Sequence, residues 1–355
     1  MLSVFLRRFF RSGSNATTCS ATRLLGNVQT DCKCYSYRNV FISQLGDGLT
    51  INRHFEWLGE GNFNEQYASL LRTLSDDQKS QLVQAIHQEM DRRTHIQKDA
   101  ASRKEYIEKN YHPLFPEVYN LKKEFLHPEF IKLAETSCDS IIGTESEGQR
   151  VFDLPVFTDS FCKKLIAEFD HFRDLGFSTG RPASMNKHGK RLDTMGFSPN
   201  FSNKLLASYI NPIAKALFPT WGGGTLDTHY CFTVEYSTDP AQGDLDLAPH
   251  FDNSEITLNV NLGEVFEGGK LAFYGFRDKE LFDQLNNKSS RQMTQTSPKV
   301  SYLEHTRGHG MFHLGQQIHK ALPLRPLAAS QSAENNNQGR RINLVMWFRS
   351  SEWRK

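Results

Sequence analysis

From Thr228 onward the sequence breaks into short apolar segments separated by Gly, Asn, Asp and Pro. They cover 230–236, 247–252, 255–262, 269–274, 299–304, 310–314 and 341–349. Each is strand length, and no helix pattern intervenes. A chain of many short strands buries its faces by closing into a barrel or a sandwich. The expected β core therefore spans about 228–350 and is of jelly-roll type.

Upstream the texture is helical. Ser75-Asp76-Asp77-Gln78 fits a capping box, with Ser as N-cap and Gln three residues on. Leu82, Ile86 and Met90 follow on one face. Tyr111-His112-Pro113-Leu114-Phe115-Pro116 ends the run, because proline disfavours helix in the residue before it. The polar stretch 138–149 reads as a linker. Phe152 to Phe157 reads as a strand, and Thr158 or Asp159 caps a helix carrying Phe161, Leu165, Ile166 and Phe169. A second helix is expected over 203–218. The predicted class is α+β: a basic leader (1–40), a mainly helical region (41–144), and a third region (145–355) with flanking helices and the β core.

At 355 residues the chain has room for about two domains without a disulfide framework. The formal charge is 42 − 40 = +2, which gives no electrostatic footprint for a nucleic-acid partner. No run reaches the ~18 apolar residues of a membrane span. Cys19, Cys32, Cys34, Cys138, Cys162 and Cys231 are scattered and read as reduced thiols of an intracellular protein. The first 30 residues hold no Asp or Glu but carry Arg7, Arg8, Arg11 and Arg23, a composition that suits a mitochondrial presequence. The 26 Phe are the unusual entry and point to a substantial β component, with Phe232, Phe251, Phe266, Phe273, Phe312 and Phe348 in or beside the strand segments.

The sharpest chemical feature is His250-Phe251-Asp252. In an extended segment, positions i and i+2 share a face. An imidazole and a carboxylate can then converge on one metal ion, and a second histidine would complete a two-His, one-carboxylate set with open positions. His305, His309, His313 and His319 compete for that place. We select His319, with His313 its strongest rival. A later basic strand, Gly339-Arg340-Arg341-Ile342-Asn343-Leu344-Val345-Met346-Trp347, favours His319, since an arginine buried in a barrel needs an anion and a carboxylate is its best partner.

The order H-x-D, then Phe266-x-Gly268-Gly269-x-Leu271-x-Phe273, then Gly315-x-x-x-His319 and Gly339-x-Arg341-x-Asn343-Leu344-Val345-x-Trp347 resembles the Fe(II)/2-oxoglutarate dioxygenases of the prolyl 4-hydroxylase and lysyl hydroxylase group. The resemblance extends upstream through Tyr111-His112-Pro113, Pro155-Val156-Phe157-Thr158 and Gly180-Arg181-Pro182, and does not cover the first 40 residues. It implies a double-stranded β-helix domain that hydroxylates a C–H bond, with Fe(II) as cofactor, 2-oxoglutarate and O2 consumed together, and L-ascorbate as reductant. It implies His250, Asp252 and His319 as the metal set, Arg341 on the distal carboxylate of 2-oxoglutarate, and Tyr236 at the same cosubstrate. For Tyr236 a place as an ordinary core tyrosine stays equally open. Thr257 and Asn259 would line the pocket from one strand face. Gly268-Gly269 marks a bulge or a close backbone approach. The implied substrate is a protein or peptide side chain, such as lysine or proline.

One departure stands out. His319 and Arg341 are 341 − 319 = 22 residues apart, longer than the family's usual spacing, and the excess is the polar stretch 326–338. Such a loop costs little entropy. It leaves Arg340 and Arg341 as alternatives, because a one-residue shift flips the strand face. Two other classes remain: a jelly-roll binding module without activity, and a zinc hydrolase, whose metal takes the same ligand set. The hydrolase lacks an evident general-base Glu and has no use for an anion-holding Arg.

Overall fold

A computed structural model of the chain describes residues 39–136, 150–183, 185–264, 266–276, 300–326 and 339–353. The leader up to residue 38, the linker 138–149, nearly all of the 326–338 insertion, and Cys19, Cys32, Cys34 and Cys138 fall outside the described residues.

The described chain is α+β. It opens on a hairpin that the sequence reading did not anticipate, β1 (Asn39–Gln44) paired antiparallel with β2 (Thr50–Glu56). Asp47-Gly48 turns it, with Gly48 at φ 89° and the Asp47 carboxylate accepting from the Leu49 N–H. A short helix α1 (Glu60–Gln66) and the 35-residue α2 (Asp76–Asn110) follow. The capping box forms as expected: Ser75 Oγ accepts from the Gln78 N–H at 3.2 Å, and Gln78 Oε1 accepts from the Ser75 N–H at 3.0 Å. Early in α2, Leu82 and Ile86 pack on Val40 and Phe55 of the hairpin. At its end, Ile107 enters a second, larger core. The helix stops at Asn110, ahead of Pro113.

That larger core is built by α3 (Pro128–Glu135), β3 (Val151–Pro155) and α4 (Asp159–Asp174), the last capped by Thr158 Oγ1. The helix expected over 203–218 is instead a succession of turns. Wide i→i+5 turns at Ser198–Ser202 and Leu206–Ile210 flank a short α segment, before α5 (Asn211–Leu217). The strands then follow: β4 (Thr228–Ser237), β5 (Leu247–His250), β6 (Ile256–Gly263), β7 (Glu267–Gly268), β8 (Leu271–Phe276), β9 (Ser301–Leu303), β10 (His309–Leu314), β11 (Gln317–Ala321), β12 (Leu324–Arg325) and β13 (Arg340–Arg349). They form a five-stranded sheet, β3-β10-β6-β13-β4, and a four-stranded sheet, β5-β11-β8-β9, with β7 and β12 paired separately. Every pairing is antiparallel.

Alternation along the strands sorts the two faces of the larger sheet. Ile342, Leu344, Met346 and Phe348 of β13 join Ile256, Leu258, Val260 and Leu262 of β6 against α4 and α5. Phe232, Val234 and Tyr236 of β4, with Val345 of β13, face the other way onto Leu271 and Phe273 of the smaller sheet. The Phe excess is divided by the same rule. Phe312 and Phe348 lie in the helical core with Phe161, Phe169, Phe172 and Phe218, while Phe232, Phe266 and Phe273 face the space between the sheets. Aromatic residues therefore mark the sheet–helix layer more than the chamber.

One buried carboxylate ties the upstream segment to α4. Glu168 accepts from the Tyr111 hydroxyl at 2.5 Å, the Tyr119 hydroxyl at 2.8 Å and the Phe115 N–H at 2.8 Å. Burial first, and the carboxylate second, push both phenol pKa values up, so both stay protonated donors. Removing the acceptor orphans three donors at once. Glu168→Ala is expected to cost about 3 kcal/mol, read as a lowered urea midpoint; an unchanged midpoint would show that water replaces the carboxylate.

Candidate metal centre

The facing strands β5 and β11 set the site. His250 and His319 are direct register partners across them. Asp252 follows two residues after His250, in a turn pinned by its N–H to the Gly315 carbonyl at 2.8 Å. His250 Nε2 lies 3.7 Å from Asp252 Oδ1, and His319 Nε2 lies 3.8 Å from Asp252 Oδ2. One ligand atom from each of the three residues lies within 4.8 Å of the others, and the two imidazole centroids are 4.2 Å apart. The strand bearing His319 was not among the segments read from sequence, yet the residue chosen on motif spacing is the one the fold brings to H-x-D.

Hydrogen bonds behind the cluster orient its imidazoles. His250 Nδ1 is 2.8 Å from the Ala248 carbonyl, and His319 Nδ1 is 3.0 Å from the Gln317 carbonyl. A carbonyl only accepts, so each Nδ1 carries a proton and each ring turns its Nε2 toward the cluster. Burial, then the neighbouring His319, pushes His250 down to about 4, which keeps it neutral. Burial opposes ionisation of Asp252, but His319, His250, His313 and the Thr257 hydroxyl together hold it below the ordinary carboxylate range. Thr257 Oγ1 donates to Asp252 Oδ2 at 2.7 Å and is itself 2.8 Å from Ser254 Oγ. Thr257 thus fixes the carboxylate, a role beyond the pocket lining expected of it. Thr257→Val should weaken Mn(II) binding roughly tenfold by calorimetry, within the range for lost outer-shell partners.

The rival histidines lie elsewhere. His313 is fully buried on β10, its ring 4.9 Å from that of His319 but its Nδ1 bonded to the Leu314 carbonyl. It stands outside the three-residue group. His309 pairs with Asp153 at 3.0 Å, away from the cluster. His305 is buried beside Asn259 and Asn343.

Arg341 is wholly buried on the chamber side of β13. Its guanidinium stacks over the Tyr236 ring at 4.4 Å and lies 5.5 Å from the Phe266 ring. Nη1 donates to the Gly269 carbonyl, whereas Nε and Nη2 have no partner in hydrogen-bond geometry among the described residues. Among the described residues Arg341 makes no ion pair. Burial pushes its pKa down, and that of Tyr236 up to about 12. Gly269, at φ 65°, admits this arrangement: a Cβ there would sit 2.7 Å from Nη1 and 2.6 Å from Leu324. Arg340 points to the opposite face, where its Nη2 meets Asp170 of α4 at 2.6 Å. The two adjacent arginines thus have separate surroundings, one satisfied by carboxylates and one lacking any.

A family model described as OGFOD2-like domain matches residues 107–223. Two curated relatives bear the name 2-oxoglutarate and iron-dependent oxygenase domain-containing protein 2. The Xenopus tropicalis protein is 32% identical over 91% of this chain and 86% of its own length. The Homo sapiens protein is 34% identical over 90% of this chain and 85% of its own. A chicken procollagen-lysine,2-oxoglutarate 5-dioxygenase 1 is 27% identical over 45% of this chain and 22% of its own. The homology places the chain in the class of iron- and 2-oxoglutarate-dependent oxygenases. Within that class it belongs to the family of 2-oxoglutarate and iron-dependent oxygenase domain-containing protein 2.

Proposed function

We propose that the chain is an active 2-oxoglutarate-dependent dioxygenase that hydroxylates a C–H bond. The observation that carries this reading is the buried Arg341 with one whole edge of its guanidinium, Nε and Nη2, left without partners. An uncompensated buried cation is costly, and that edge matches a carboxylate bidentately. Tyr236 stacks on the same guanidinium and lies within electrostatic reach of both Arg341 and Asp252, so it would border a cosubstrate held between them.

His250, Asp252 and His319 would hold Fe(II). Two imidazoles and a carboxylate suit a divalent first-row metal and leave positions open. A bound iron supplies the coupled oxidation of 2-oxoglutarate to succinate and CO2 by O2, with the second oxygen atom delivered to the substrate. The chain's own residues orient the ligands through Ala248, Gln317 and Thr257, clamp one carboxylate at Arg341, and keep water out with Phe232, Phe273 and Val345. L-ascorbate is the reductant in this reading.

In this reading the two antiparallel sheets, β3-β10-β6-β13-β4 and β5-β11-β8-β9, form a double-stranded β-helix, and their strand order supports it. The catalytic domain then spans 145–355, with 41–144 as its helical buttress. The chicken relative's name favours a protein lysine side chain as the acceptor, and proline is the alternative that the resemblance to prolyl 4-hydroxylases implies.

Succinate release tests the reading. Protein loaded with Fe(II) anaerobically and then exposed to O2 should convert 2-oxoglutarate to succinate. A peptide substrate should gain one oxygen atom by mass spectrometry. Binding of 2-oxoglutarate without succinate would mean a binding module, and zinc-dependent hydrolysis without succinate would mean a hydrolase.

A further inference from the structure

Beside Arg341 the chamber floor carries a polar chain that the reaction itself does not require. Asn343 lies two residues beyond Arg341 on the same strand face. Its Nδ2 donates to Asn259 Oδ1 at 2.9 Å and stands 3.4 Å from His305 Nδ1. His305 Nε2 is 2.9 Å from the Asn259 backbone carbonyl. That carbonyl only accepts, so Nε2 holds the proton and Nδ1 must accept from Asn343. The amide nitrogen of Asn343 is engaged twice, and its Oδ1 is a buried acceptor with no partner.

The loop bearing His305 is itself fastened, because Asn261 Nδ2 donates to the His305 carbonyl and the Asn261 carbonyl accepts from the Gly308 N–H at 2.7 Å. Burial first, and the Arg341 charge second, push the His305 imidazole down to about 3. The floor next to the guanidinium is thus uncharged and presents a fixed acceptor oxygen.

We propose that His305 and Asn343 are positioning residues for the Arg341 pocket: His305 locks the Asn343 amide, whose Oδ1 repels a misplaced carboxylate oxygen and confines the anion to the Nε–Nη2 edge. This inference rests on the cosubstrate pocket proposed above.

Calorimetric titration of 2-oxoglutarate into Mn(II)-loaded protein tests it without turnover. His305→Phe removes the acceptor and should weaken binding about tenfold, the scale of one buried hydrogen bond. The kcat at saturating 2-oxoglutarate should stay within about twofold. His305→Gln keeps an acceptor and a donor and should restore most of the affinity. If His305→Phe loses its cooperative melt, Asn343→Ser decides, with the same tenfold weakening expected. Affinity unchanged in these variants, with Arg341→Ala weakened, overturns the positioning role and leaves the pocket standing. Affinity unchanged in Arg341→Ala as well overturns the pocket itself.

Discussion

His319→Ala will abolish succinate formation and cut Mn(II) affinity by more than ~100-fold, because loss of an outer-shell partner alone costs 10- to 100-fold and a direct ligand contributes more. The substitution removes the only group that faces His250 across the β5–β11 register. It leaves Asp252 with His250 as its sole remaining neighbour in the three-residue cluster. His313→Ala is the informative control. His313 is equally buried, packs on the same Phe273 and lies next to His319, so its removal opens a similar void. It should nonetheless keep Mn(II) affinity within a few-fold. Equal losses in both variants would mean that packing, rather than ligation, is being measured.

Arg341→Ala will weaken 2-oxoglutarate binding by at least ~30-fold and raise its KM to match. Truncating one partner of a buried charge pair costs about 2–5 kcal/mol, which is roughly 30- to several thousand-fold in affinity. Arg340→Ala, one residue away, should leave that KM nearly unchanged, since Arg340 is engaged on the opposite face by Asp170 and by Glu264 at 3.4 Å. A second consequence separates function from stability. Among the described residues the buried Arg341 cation has no anion beside it, and replacing such a group by an apolar residue of similar length is often stabilising. Arg341→Met should therefore raise the Tm of the free protein while eliminating the rise that 2-oxoglutarate produces in the wild type. A Tm lowered by Arg341→Met would show that the Tyr236 stack and the Gly269 carbonyl already compensate the charge. Exchanged behaviour of Arg340 and Arg341 would contradict the observed strand register.

Several elements were legible because their signals are local. The capping box at Ser75, the Thr158 cap and the proline stop after Tyr111 each depend on a few adjacent residues. The same holds for H-x-D, whose two side chains share a face by strand geometry alone. What was missed depends on distant partners. The β1–β2 hairpin is stabilised by packing on α1 and α2, so its alternation is weak in isolation. The wide turns over 198–210 have no sequence signature. Strand β11 went unread because its Gln-Ile-His-Lys-Ala pattern is too polar and short, and it is ordered by β5 and β8 on either side. The His305–Asn343 contact joins residues 38 apart, and no motif announces it.

The sequence by itself determined the antiparallel β texture, the H-x-D pair and the presence of a basic strand near the C-terminus, since each follows from side-chain type and spacing within a single element. The tertiary structure then brings His319, the histidine selected from the sequence, to His250 and Asp252, and it alone separates Arg341, turned into the chamber, from Arg340. Both placements are set by register between strands far apart in the chain, where one residue of slip exchanges the buried face for the other. The same register leaves Arg340 among carboxylates and Arg341 with an empty guanidinium edge.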